Sequence, residues 1–291
     1  MVEEFLVYIS KEKRVSSHTC TAYKNDIESF LSFSAIENNT DLKEVSYQNV
    51  RSWIVELINL GYSNRTVNRK LSSLRTFFKW ALGLGFVDLD PMLKIKGPKL
   101  EKRLPEFVKE EEIDDSELKQ LFPDGFSGFR DRLMIEVLYQ TGIRLSELIN
   151  LKRSDIDQDK IKVLGKRNKE RFIPLTVELF QQISAYLDHE VYKEAGIEYV
   201  FITDKGKKLY PKFVYRKVNY YLSLLTNLSK RSPHILRHTF ATHMLNNGAG
   251  LETLKEVLGH ASLSATQVYT HNSFDQISKI YKQSHPRGEK K

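Results

Sequence analysis

Six side chains in the C-terminal two-thirds of the sequence are of types that can jointly move a phosphoryl group without a metal. Arg144 sits in TGIRLSEL, Lys166 in VLGKRNKERFIPL, and His234 and Arg237 in PHILRHTF. His260 follows Gly259, and Tyr269 comes nine residues later. Arginine forks bind the non-bridging oxygens of a phosphate bidentately and offset the charge of its pentacovalent transition state. A tyrosine can attack as phenolate where cations or a base lower its cost of ionisation, and a lysine can protonate an alkoxide leaving group. Each residue also has an ordinary reading. Arg144 can be a surface or salt-bridge residue, Lys166 a solvated hairpin lysine, His234 and Arg237 a capping pair, and Tyr269 a packing aromatic. Their order and context carry the argument.

Other chemistries lack their residues. No Gly-rich loop leads into Lys-Ser/Thr, and no GxSxG elbow is present. His234, His238, His243, His260 and His271 are clustered, but none lies in an HExxH pattern and the only cysteine is Cys20. The reading is therefore no metal and no cofactor, and no intramolecular disulfide.

These side chains need elements to hold them. The segment from Arg130 to Tyr139 reads as a helix, interrupted at Thr141 and Gly142, with a second helix from near Leu145. Two strands, around 161–164 and 171–175, flank Gly165 to Asn168 as a hairpin with Lys166 near its tip. Helices are expected over Thr176–Val191 and Lys212–Leu225. Another starts at Ser232, where Ser-Pro supplies an N-cap and a proline at the first helical position. His234 and Arg237 then project from one early turn, where the helix dipole favours an anion. Gly248 and Gly259 read as helix stops.

The N-terminal part reads as four helices, marked by the apolar stripes Val2–Phe5–Leu6–Ile9, Tyr23–Ile27–Phe30–Leu31, Val50–Trp53–Ile54–Leu57 and Val67–Leu71–Leu74–Phe78. On the fourth, Arg65, Arg69, Ser72, Thr76 and Lys79 lie opposite the apolar stripe, and no acid occurs from Arg65 to Leu82. Arg65, Arg69, Thr76 and Lys79 are accordingly candidates for contact with a duplex. An ordinary solvated helix face is the competing reading.

Composition agrees with a polyanion partner. The 291 residues hold 45 Lys and Arg against 37 Asp and Glu, a net charge of +8. Residues 99–117 hold eight acids and four bases, so the rest of the chain carries +12. Such an excess favours nucleic acid through phosphate contacts and counterion release. No run is long and apolar enough to span a bilayer and no secretory leader is evident, which reads as a soluble cytoplasmic protein. The acidic, proline-flanked stretch is the expected boundary: a helical domain over 1–95, a linker over 96–114 and a larger domain over 115–291. The fold class expected is mainly α, with one small antiparallel sheet.

TGIRLSELINL, VLGKRNKERFIPL, PHILRHTFATHMLNNGA and LKEVLGHASLSATQVYTH, in that order, closely resemble the tyrosine recombinase family, nearest to its Xer-type chromosome-resolving members. The resemblance covers nearly the whole chain and implies a core-binding (SAM-like) helical domain followed by a catalytic domain. It assigns Arg144 and Arg237 to phosphate binding, Lys166 to protonation of the leaving 5′ oxygen, and His234 to deprotonation of the tyrosine. It places His260 against the scissile phosphate, makes Tyr269 the nucleophile, and gives Glu147 the support of the pocket. One departure is Arg167, where many relatives have glycine, so Lys169 is the alternative to Lys166. The implied reaction passes through a 3′-phosphotyrosyl enzyme and a Holliday junction, with no ATP and no divalent metal. Four protomers, of one kind or of two related recombinases, would act on two double-stranded DNA sites, with a septal DNA translocase as a further partner. A C-terminal segment with Phe274, Ile277, Ile280 and Tyr281 at helical spacing would dock on a neighbouring protomer or pack on its own domain. The compact length favours a chromosomal role at a dif-like site. The alternatives are an integrase or invertase of a mobile element or phase-variable locus, and a DNA-binding module without chemistry.

Overall fold

The computed structural model describes residues 1–13, 15–100, 106–113, 120–165, 169–259 and 271–288, without the side chains of 39, 40, 271–273, 275 and 276. The chain divides into two compact units, Met1–Arg103 and Leu104–Lys291. It is mainly helical, with one two-stranded antiparallel sheet among the described residues. No described helix is long and apolar enough to cross a membrane.

The first unit contains α1 (Val2–Lys11), α2 (Ser17–Phe33), the single turn α3 (Asn39–Leu42), α4 (Tyr47–Asn59) and α5 (Asn64–Gly83). Serines start the longer ones: Ser16, Ser46 and Ser63 each accept a hydrogen bond from the backbone N–H three residues on, which satisfies an otherwise orphaned donor. The apolar stripes meet in a core where Phe30 stands edge-on to Trp53 and to Phe78, with ring centroids 5.3 and 5.9 Å apart. Val67, Leu71, Leu74 and Phe78 of α5 are all fully buried there. Asn68 on α5 donates to the carbonyl of Pro98 at 2.8 Å, and Asn64 donates to that of Lys99 at 3.0 Å. The start of the acidic stretch is thus packed on the first unit. Its later part, residues 106–113, is packed on the second: Glu106 accepts from the Ser229 hydroxyl, and the Val108 N–H donates to the Thr239 hydroxyl at 3.0 Å.

The second unit is built around α6 (Phe126–Thr141), whose residues Leu133 to Thr141 are buried on every side. A helix buried all round belongs in a core. Then come α7 (Leu145–Asn150), strands β1 (Lys160–Leu164) and β2 (Glu170–Pro174), α8 (Val177–Asp188), α9 (Glu190–Ala195), α10 (Pro211–Leu225), α11 (Pro233–Asn246), α12 (Leu251–Leu258) and α13 (His271–Ser284). The strands pair with Val163 opposite Arg171 and Ile161 opposite Ile173. Sequence periodicity reads one helix over 176–191, whereas the structure has two. His189 takes an extended conformation (φ −63°, ψ 139°), ending α8, and its ring accepts from the Val191 N–H to start α9. Helix α13 packs on its own unit: Ile277 and Tyr281 are buried, and the Tyr281 hydroxyl donates to the Gln140 carbonyl at 3.0 Å.

Candidate active site

Three segments distant in sequence converge on the C-terminal end of α12. The first is the break between α6 and α7. Gly142 caps α6 in the left-handed region (φ 59°), which strains any residue with a Cβ. A Cβ there would also come within 2.5 Å of the Phe240 ring. The turn delivers Arg144 to the N-cap of α7, with Glu147 three residues on. Glu147 accepts from the Arg144 backbone N–H at 2.7 Å and from its Nη1 at 2.9 Å.

The second segment is β2. Its alternation turns Arg171 and Ile173 to the buried face, and the Arg171 side chain is 3% exposed. Arg171 forks onto Glu147, Nη1 to Oε1 at 2.9 Å and Nη2 to Oε2 at 2.8 Å, while its Nε donates to the Val257 carbonyl at 2.7 Å. The third is α11, from which Arg237 donates to the carbonyls of Gly142 at 2.5 Å and Leu258 at 2.6 Å. Arg144 Nη2 donates to the Gly259 carbonyl at 3.3 Å. The last carbonyls of a helix have no partner within it. Here Val257, Leu258 and Gly259 are each taken by a different arginine.

The electrostatics follow from this packing. Burial pushes the Glu147 carboxyl up. The Arg171 fork and the Arg144 contacts outweigh that and hold it down at about 2, so it is ionised at neutral pH. Burial, with the charge of Arg144, lowers Arg237 to about 10, which still leaves it protonated. Three guanidinium charges against one carboxylate leave the cluster with an excess of two positive charges. Arg144 is its open member, with a side chain 38% exposed against 3% for Glu147. Such a cluster can bind a phosphate diester and stabilise added charge on its oxygens.

Arg144, Glu147 and Arg237 are therefore brought together. His234 lies exposed in the first turn of α11, one turn before Arg237. Lys166, His260 and Tyr269 lie outside the described residues, although both flanks of Lys166 are held by the bond from the Gly165 N–H to the Lys169 carbonyl at 2.8 Å. Arg171 was not among the six side chains singled out. The available signal was an arginine sharing the inward face of a strand with Ile173, since a cation placed there needs a buried partner. On α5, Arg65 and Lys79 are exposed. Arg69 is exposed as well and also forks onto the buried Asp26 of α2, which takes Lys70 at 3.2 Å and the Ser73 hydroxyl at 2.8 Å. The Thr76 hydroxyl donates to the Ser72 carbonyl at 3.0 Å. The acid missing from α5 is supplied by its neighbour. Among the described residues no group of three His, Cys, Asp or Glu is placed to hold a metal ion.

Residues 111–276 match the phage integrase family, and residues 2–83 match the phage integrase N-terminal SAM-like domain. The chain belongs to the phage integrase family. It is similar to the tyrosine recombinase XerC of Chlorobaculum parvum, 36% identical across 98% of this chain and 94% of the relative. It is also similar to the tyrosine recombinase XerC of Staphylococcus aureus (strain MSSA476), 38% identical across 99% of this chain and 97% of the relative. The protein is a site-specific tyrosine recombinase, an enzyme that breaks and rejoins DNA strands. Its fold is shared with the XerH site-specific recombinase bound to palindromic difH substrate in a post-cleavage complex: TM-score 0.71 at 20% identity, covering 99% of this chain and 82% of that one. The integrase-family match spans all three arginines and Glu147.

Proposed function

We propose that this recombinase resolves chromosome dimers in the cytoplasm at a dif-like site during segregation, as four protomers, of one kind or two, on two duplexes. The observation that carries the reading is the convergence of Arg144 and Arg237 through Glu147 and the end of α12, directly before the sequence that holds His260 and Tyr269. The XerC names of its relatives favour the chromosomal role.

In this reading Arg144 and Arg237 bind the non-bridging oxygens of the scissile phosphate, and His260 adds a hydrogen bond to them. The Tyr269 hydroxyl loses its proton to His234, and its oxygen forms a bond to phosphorus as the bond to O5′ breaks. Lys166 gives a proton to the departing O5′. The products are a 3′-phosphotyrosyl enzyme and a free 5′-hydroxyl. Attack by the 5′-hydroxyl of a partner duplex reverses these transfers and releases the tyrosine. Because the phosphotyrosine conserves one phosphodiester, the exchange needs no ATP. Two successive exchanges pass through a Holliday junction. The first unit grips the duplex with Arg65, Lys79 and their neighbours Arg69 and Thr76, and a septal DNA translocase brings the paired complex to its active state.

The test is incubation of the protein, in EDTA, with a nicked duplex carrying the host's dif-like site, followed by denaturation. A denaturation-resistant protein–DNA adduct from wild type but not from Tyr269→Phe is expected. An adduct on mobile-element ends and none on the chromosomal site would overturn the chromosomal role. Binding with no adduct on any site, even with the paired recombinase and the translocase supplied, would overturn the chemistry.

A further inference from the structure

Arg171 joins Glu147, Val257 and Gly259 through one side chain. Its two terminal nitrogens take both oxygens of Glu147, its Nε takes the Val257 carbonyl, and its stem packs under Gly259, where an added Cβ would come within 3.1 Å of Cδ. Glu147 in turn holds Arg144 twice, through the backbone N–H and Nη1. Without Arg171, Glu147 would keep only Arg144, and the two could rotate together about the end of α7. With Arg171, both carboxylate oxygens are fixed by a residue on the β-hairpin, and the plane of the Arg144 guanidinium is fixed with them. The bond to Val257 anchors the same hairpin to the end of α12, from which the chain runs to His260 one residue beyond Gly259.

We infer that Arg171 is a positioning residue of strand cleavage: buried and out of reach of DNA, it orients Arg144 through Glu147 and ties the hairpin to the end of α12. The inference rests on the proposed function of the cluster. A salt bridge that served only to hold the fold would not need to reach both the carboxylate that directs Arg144 and the carbonyl next to those held by Arg237 and Arg144. It would also not require arginine: a lysine carries the charge but offers no planar fork for two carboxylate oxygens and no third donor in that plane.

The experiment uses the full chain, the nicked dif-like duplex and saturating protein, with wild type, Arg171→Lys, Arg171→Met, Glu147→Gln and the double variant Arg171→Met/Glu147→Gln. Site affinity and the single-turnover rate of adduct formation are measured separately. For Arg171→Met the rate is expected to fall by about 100-fold while affinity stays within about 3-fold, the pattern of an interaction needed in the transition state. Arg171→Lys is expected to recover about a tenth of the wild-type rate, since charge is restored without the fork. The double variant is expected to be within about 3-fold of Arg171→Met, because two residues acting on Arg144 by one route are not additive. Multiplying losses in the double variant would overturn the route through Glu147. Unchanged cleavage in a folded Arg171→Lys protein, or affinity and rate falling together with the folded fraction, would overturn the positioning role. If Arg171→Met does not fold, Arg171→Lys decides. If wild type itself forms no adduct on any site, with the paired recombinase and the translocase supplied, the cleavage reading fails and this inference falls with it.

Discussion

Replacing Glu147 by glutamine removes one charge from a cluster in which that charge is nearly fully enclosed, and the size of the effect can be worked from its surroundings. The folded protein holds the Glu147 carboxyl at about 2, against an ordinary value of 4.5. At about 1.4 kcal/mol per unit, the ionised carboxylate contributes about 3.5 kcal/mol to folding at neutral pH. That agrees with the roughly 3–5 kcal/mol lost when one partner of a buried ion pair is removed. A depressed carboxyl gives stability that is complete above its unfolded-state value and is lost as pH falls toward the folded one. The gap between wild type and Glu147→Gln should stay near its full size from pH 8 to 5 and narrow by about 1.4 kcal/mol by pH 3.5. The assay is urea unfolding followed by two probes. Both tryptophans, Trp53 and Trp80, lie in the first unit, so fluorescence reports that unit while far-UV circular dichroism also sees the second. The circular dichroism transition should shift and the fluorescence transition should not. A gap under about 1 kcal/mol at pH 7, or one that closes between pH 7 and 5, would refute the electrostatic account of this cluster.

Gly142→Ala should destabilise the second unit by about 3 kcal/mol, combining left-handed strain with a Cβ placed 2.5 Å from Phe240; a loss below about 1 kcal/mol in the same unfolding assay would contradict both causes. Arg237→Lys should slow adduct formation on the nicked duplex by about 100-fold, because one ammonium cannot serve the Gly142 and Leu258 carbonyls and a phosphate together; near-normal rates would show that the fork is dispensable. Asp26→Asn should cost the first unit about 3 kcal/mol by leaving Arg69 and Lys70 without their common carboxylate, read as a shift in the fluorescence transition, and an unshifted midpoint would rule out a structural role for the pair.

The fold was legible wherever one periodicity dominated. The stripe Val67–Leu71–Leu74–Phe78 identifies the buried face of α5, and the thirteen-residue α4 is equally plain in its apolar spacing. The break at His189 was not, because a histidine can sit inside a helix and only tertiary packing selects the extended conformation that makes it a cap to two helices. In the site, the type and order of Arg144, Glu147 and Arg237 were readable, and Gly142 announced the turn that separates α6 from α7. The partners were not readable. Arg69 has no acid within its own helix, and only the antiparallel neighbour α2 brings Asp26 beneath it. Arg171 is separated from Glu147 by 24 residues and from Val257 by 86, separations that no local pattern encodes.

The cluster also shows how three like charges can be stored in a folded chain. Side by side in a poorly polarisable interior, three guanidinium groups repel, and the lowering of Arg237 by burial and by Arg144 records that cost. Glu147 offsets one charge. The rest is met by a helix end: the macrodipole of α12 presents its negative pole, and the carbonyls of Val257, Leu258 and Gly259 spread that pole over three acceptors, one for each arginine. Neutral carbonyl dipoles stabilise the cations without cancelling their charge, whereas additional carboxylates would have left nothing for a phosphate to bind. A metal-free phosphoryl-transfer site needs that outcome, since its arginines must be stable in the absence of DNA and still carry charge when DNA arrives. The arrangement further predicts an order among the three. Arg171 is enclosed, Arg237 is nearly so, and Arg144 is open. A dianion the size of inorganic phosphate should therefore lose most of its affinity in Arg144→Ala, and if Arg171→Lys lost as much, the division between binding and positioning would be wrong.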